Sequence, residues 1–189
     1  MTKTGFREIG LFSVLLLALL ATRGAHFGSA VSLGDATLAV MFLAGLYLGR
    51  ALWLPVLLLA CAGADWFALQ GGTNGWCVTA AYGFLIPAYG AVWLAGRLLH
   101  SSDPLGGRGL LRSGAALLAG VSLFFVISNA GFYAASGYFE NMGAAHYAHS
   151  VAGYFWPYLA HALLYVGAAF AVHAVLRLAG VRQQLGAPS

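Results

Sequence analysis

Residues 51–75 read ALWLPVLLLACAGADWFALQGGTNG, and this stretch decides what kind of protein the chain makes. From Ala51 to Gln70 it is apolar except for Asp65 and the closing Gln70, and Gly71-Gly72-Thr73-Asn74-Gly75 ends it with residues unsuited to a helix interior. About 20 such residues are what one helical crossing of the hydrocarbon layer requires. Pro55 stands in the first turn, where proline is tolerated. Working outward, the same texture recurs in Ile9–Ala21, Leu33–Gly49, Trp76–Leu99, Ser113–Tyr133 and Ala152–Leu178. Pro87 is expected to kink the fourth run. The 189 residues are 61% hydrophobic and 7% charged, with a mean hydropathy of +0.82. A soluble domain carries about 25% charged residues, so a water-soluble globule is excluded. Six crossings consume about 120 residues, which leaves no room for a second domain. Residues 1–189 are therefore expected to form one all-α integral membrane domain of six transmembrane helices.

An alternative for the first run is a secretory signal cleaved near Gly28-Ser29-Ala30. The immediate return of apolar sequence at Leu33 favours a helical hairpin joined by residues 23–32. The formal charge of +4 does not indicate nucleic acid, because its placement follows membrane topology. With six crossings, Lys3, Arg7, Arg50, Arg97, Arg108, Arg112, Arg177 and Arg182 share one side and only Arg23 falls on the other. Both termini are thus expected in the cytoplasm of a bacterial inner membrane. The loops 23–32, 71–75 and 134–151 then face outward, and residues 101–112 form the hydrophilic inner connection.

The unusual chemistry collects at the outer mouth. Asn74 is expected to cap the fourth helix, which would put Cys77 in its first turn, where free N–H groups and the helix dipole favour thiolate. Cys61 is no disulfide partner, being about 13 Å down the preceding helix from Gln70. The competing account of Cys77 is a small buried hydrophobe. Asp65 is an acid inside an apolar helix and so a functional candidate by default; a structural pairing with Arg23 or with a helix end is its alternative. Asp35 fits equally a helix cap within Ser32-Leu33-Gly34-Asp35. His26, His146 and His149 lie in the outer loops, whereas His161 and His173 are expected to hydrogen-bond inside the bundle. Aromatic residues including Phe27, Trp66, Trp76, Tyr82 and Tyr147 frame the same mouth among many glycines. They suit closure over a large, partly apolar molecule, and equally an interfacial belt. Small-residue pairs such as Ala21/Ala25, Gly45/Gly49 and Ala116/Gly120 allow close helix packing.

His26-Phe27-Gly28-Ser29-Ala30-Val31-Ser32-Leu33-Gly34-Asp35, then Asp65-Trp66 and Gly75-Trp76-Cys77, resembles the stand-alone bacterial cobalamin uptake proteins of the BtuM type. These are relatives of the substrate-binding S components of energy-coupling-factor (ECF) vitamin transporters. The resemblance implies an S-component-like bundle with a corrinoid held outside between the first loop, the 71–76 turn and the last outer loop. It implies Cys77 as axial cobalt ligand and catalytic thiolate, displacing a weak ligand such as water or labilising cyanide from reduced cobalt. Candidate contacts to cobalamin are His26, Phe27, Ser29, Asp35, Asp65, Trp66, Tyr82, Asn141 and Tyr147, with Asn129 a further amide partner. Ala21 and Ala25 resemble the stripe by which S components meet an ECF coupling module. No GxxxxGK[ST] motif occurs, so ATP-driven work would come from partner chains. Two other functions stay open: an S component for a different vitamin, and an intramembrane cysteine acyltransferase or transpeptidase using Cys77 with a loop histidine.

Overall fold

The computed structural model describes residues 3–23, 34–72, 75–76 and 78–185, with side chains described from Arg7 to Gly180 within those ranges. The described residues are helical and contain no strand. The helices are α1 (Lys3–Arg23), α2 (Thr37–Tyr47), α3 (Trp53–Gln70), α4 (Leu85–Arg97), α5 (Gly107–Ala135), α6 (Ala144–Val151) and α7 (Phe155–Leu185). Short 3-10 segments at Ala80–Phe84 and Ala152–Tyr154 lead into α4 and α7. Among the described residues three segments are long and apolar enough to cross a membrane: Trp53–Gln70, Gly107–Ala135 and Ala144–Gly180.

The second apolar run departs from expectation. Only 11 of its residues are helical, about 17 Å of rise against a hydrocarbon layer of about 30 Å. Every residue from Thr37 to Leu46 is buried, so α2 is the centre of the bundle, with α1, α3, α4 and α7 around it. Its apolar character on all sides fits such a position. Neighbouring side chains satisfy the polar groups at its ends. At the start, the Ala36 N–H donates to Thr22 Oγ1 (3.0 Å) and the Thr37 N–H to Asp35 Oδ1 (2.8 Å). At the finish, Leu48 is extended, Arg97 Nη1 donates to the Leu48 carbonyl (2.9 Å), and His100 Nδ1 lies 2.8 Å from the Leu46 carbonyl. The Gly49 N–H donates to Glu8 Oε1 (3.1 Å).

α2 meets α4 backbone to backbone. A Cβ on Gly45 would collide with the Trp93 carbonyl, and one on Gly96 with the Phe42 carbonyl. Gly120 of α5 similarly faces Val92 and Ala95 of α4. These contacts give the small residues at 45 and 120 an internal packing role. Outside this core, Leu59, Phe67, Leu123, Val126, Leu164, Val175 and Leu176 are all more than half exposed. Lipid accommodates such a surface and water does not.

The fourth run also begins later than expected. Trp76 and Val78 are not helical, and the helical segment starts at Ala80, capped by Thr79 Oγ1 accepting from the Ala81 N–H (3.2 Å). Cys77 itself lies outside the described residues. Pro87 does not kink a continuous helix. It sits in the first turn of α4, where its missing N–H has no intrahelical partner to lose. The inner connection is shorter than expected, because α5 begins at Gly107.

Candidate functional site: a buried ionic network

Arg23 ends α1, is 3% exposed, and faces four other parts of the bundle. Its Nε donates to Asp65 Oδ1 (2.8 Å) and its Nη2 to Asp65 Oδ2 (2.7 Å), a bidentate pair between α1 and α3. Nη1 donates to Thr37 Oγ1 and Tyr89 Oη, both at 3.1 Å. Its guanidinium carbon also stands 5.7 Å from the Tyr89 ring centroid. Asp35 Oδ2 is 3.9 Å from Nη1, and the Thr37 hydroxyl donates to Asp35 Oδ1 at 2.5 Å. The Tyr82 hydroxyl donates to Asp65 Oδ2 (2.6 Å). One cation and two carboxylates are thus held with three hydroxyl groups in a buried layer. A carboxylate at such depth is tolerable only with partners of this kind.

The network draws on the end of α1, the start of α2, the last turns of α3, the 3-10 segment and the first half of α4. Two chain stretches leave from its edges. Residues 24–33 join Arg23 to Gly34, and residues 71–79 join α3 to the 3-10 segment. Gly34 is pinned from α7: the Tyr165 hydroxyl donates to its carbonyl (2.8 Å), and the His161 ring fills the space a Cβ would need. His173 hydrogen-bonds inside the bundle as expected, with Tyr47 (2.9 Å), and the His161 ring packs on Gly34.

A second layer flanks the network at the same end. Trp76 meets Phe132 edge-on (5.3 Å between ring centroids), and the Tyr138 hydroxyl donates to the Trp76 carbonyl (3.0 Å). Tyr133 donates to the Met142 carbonyl (2.7 Å), and Phe139 meets Tyr147 edge-on at 4.7 Å. The positive φ of Gly137 (79°) allows the turn that folds these rings back over α5.

Of the expected site residues, Asp35, Asp65 and Tyr82 come together in the ionic network. Tyr147 is buried in the aromatic layer with its hydroxyl on Asn129 Oδ1 (3.3 Å). Asn141 is exposed in the loop before α6. Trp66 is 61% exposed on the outer face of α3, because one residue of helix turns it away from Asp65; it is not part of the network. His26, Phe27, Ser29 and Cys77, together with Ala25, lie outside the described residues. Among the described residues no three of His, Cys, Asp and Glu gather as a metal site. Thr37 and Tyr89 are network members that sequence reading passed over. No protein-family model and no curated protein matches the chain.

Proposed function

We propose that the chain is a corrinoid uptake protein of a bacterial inner membrane, a six-crossing, S-component-like bundle with both termini in the cytoplasm. Cobalamin is its transported substrate, received at the outer end. The observation that carries this reading is the Arg23–Asp65–Tyr82 network at the end of the bundle opposite the basic residues. It anchors the edges of the two stretches that bear His26, Phe27, Ser29 and Cys77. Loops that close on a large ring need fixed rims, since a contact held loosely loses binding free energy to ordering. The side bearing eight of the nine basic residues is the cytoplasmic one by the positive-inside bias.

In this reading Cys77 forms a sulfur–cobalt(III) bond, the thiol proton passes to solvent, and a bound water leaves the metal. Asp35, Asn129 and Asn141 offer groups that hydrogen-bond amide side chains, and the Trp76–Phe132–Tyr138 rings offer an apolar wall. Release to the cytoplasm falls to a coupling module if one docks along Ala21 and Ala25; Ala21 is exposed on α1.

The test is growth of a cobalamin-dependent bacterium lacking its own importer. The intact chain should restore growth, and Cys77→Ala should fail or need far more cobalamin. Protein purified from cobalamin-fed cells should be pink, and its visible spectrum should lose a thiolate-dependent band in Cys77→Ala. Colourless protein that is trapped by thiol alkylation would favour the cysteine enzyme instead. Binding of another vitamin with no response to cobalamin would reassign the cargo.

A further inference from the structure

The whole sequence contains five acids: Glu8, Asp35, Asp65, Asp103 and Glu140. Asp35 and Asp65 surround Arg23, and Glu140 lies in the loop between α5 and α6 at the same end. At the basic end only Glu8 and Asp103 remain, and both are engaged. Glu8 accepts the Gly49 N–H and stands 3.7 Å from Arg50 Nε. Asp103 accepts from Arg177 Nη1 and from the Leu105 N–H, each at 3.1 Å. Arg97 is occupied by the Leu48 carbonyl and the Trp93 ring. No acidic side chain of this protein is left for Arg108 and Arg112, and among the described residues neither has a hydrogen-bond or ion-pair partner. Both are exposed.

The two arginines stand at i and i+4 on α5, which sets their Cβ atoms about 5–6 Å apart on one face. The same face continues as Leu111, Ala115, Leu118 and Ala119, all exposed, with Leu111 77% and Leu118 47% open. A pair of cations therefore heads a bare apolar stripe that runs into the membrane-length part of the helix. Guanidinium groups grip phosphate oxygens in forked geometry. We propose that Arg108 and Arg112 hold the phosphate of an anionic phospholipid whose acyl chain lies along Leu111, Ala115 and Leu118. A soluble anion would leave the stripe bare, and an acidic protein surface would bring charge against leucines, so lipid is the occupant that matches both halves. The inference requires residence in a bilayer and nothing about a transported cargo.

The test uses the full chain in nanodiscs, with phosphatidylglycerol or phosphatidylcholine as the competing lipid, and bound lipid counted by native mass spectrometry. The wild-type protein should retain phosphatidylglycerol at least tenfold over phosphatidylcholine, with retention falling as salt rises. R108Q/R112Q should lose that preference while keeping wild-type helicity and melting temperature. Arg177→Gln, which removes a cation already paired with Asp103, should keep the preference. Equal retention of the two lipids by the wild-type protein overturns the proposal. So does undiminished preference in R108Q/R112Q, or an Arg108/Arg112-dependent acidic protein partner in place of lipid.

Discussion

Asp65 and Arg23 stabilise each other chiefly against burial, so removing one leaves the other charge stranded. Asp65→Leu should lower unfolding stability by about 3–5 kcal/mol, read as a fall in melting temperature in detergent. Asp35, 3.9 Å from Nη1, offsets part of that loss. The double variant R23M/D65L should regain most of it, because apolar residues of similar volume replace an ion pair at little cost. A double variant as unstable as the single one would mean that the pair does more than neutralise itself. Tyr82→Phe removes one hydrogen bond to a carboxylate and should cost about 1.5–3 kcal/mol. That Asp65 needs a partner was legible in the sequence, because an acid within an apolar helix must be neutralised; Arg23 was one of the partners it allowed. Thr37 and Tyr89 were not, because a hydroxyl on an apolar helix gives no sign of its partner.

Helix contacts follow the absence of side chains as much as their presence. Gly45→Ala or Gly96→Ala would press a methyl into a facing carbonyl and push α2 from α4, costing about 1–3 kcal/mol as overpacking does. Gly63→Ala on α3 meets open space and should be neutral or stabilising by about 0.5–1 kcal/mol. Paired melting curves separate the two classes. Between elements, the exposed Arg177 hydrogen bond and the Leu105 N–H hold the Asp103 carboxyl below its ordinary value. A group depressed in the folded state contributes stability above its unfolded pKa and loses it as pH falls through the folded one. The melting temperature of the intact chain should therefore lose the Asp103 contribution only below about pH 4, and Asp103→Asn should lack that acid-dependent step; salt should shrink the difference. Element starts were the part that sequence misjudged. Asn74 and Thr79 are both competent caps, and Pro87 suits a first turn as well as a kink. In the structure Phe84 of the 3-10 segment packs on Gly131, and sequence pattern gives no sign of that contact.

At the scale of the molecule, the six apolar runs were legible as helices, but their unequal roles were not, because hydropathy reports apolar surroundings without saying whether they are lipid or protein. α2 is the most apolar in its neighbourhood yet too short to cross hydrocarbon alone; α3, α5 and α7 are of membrane length and carry the open leucines and valines. The difference has a direct consequence. Backbone that leaves helical form at membrane depth is stable only where protein covers it, and Ala36, Leu38–Leu46 and Leu48 are covered from all sides. Nitroxide labels at positions 59, 67, 123, 164 and 175 should therefore show high collision rates with oxygen, which concentrates in lipid. Labels at positions 40 and 43 of α2 should show low rates or prevent assembly of the bundle. An oxygen-accessible, fully folded label at position 40 or 43 would mean that α2 lies at the lipid boundary, and the ionic network at its start would then need solvent or another chain to shield it.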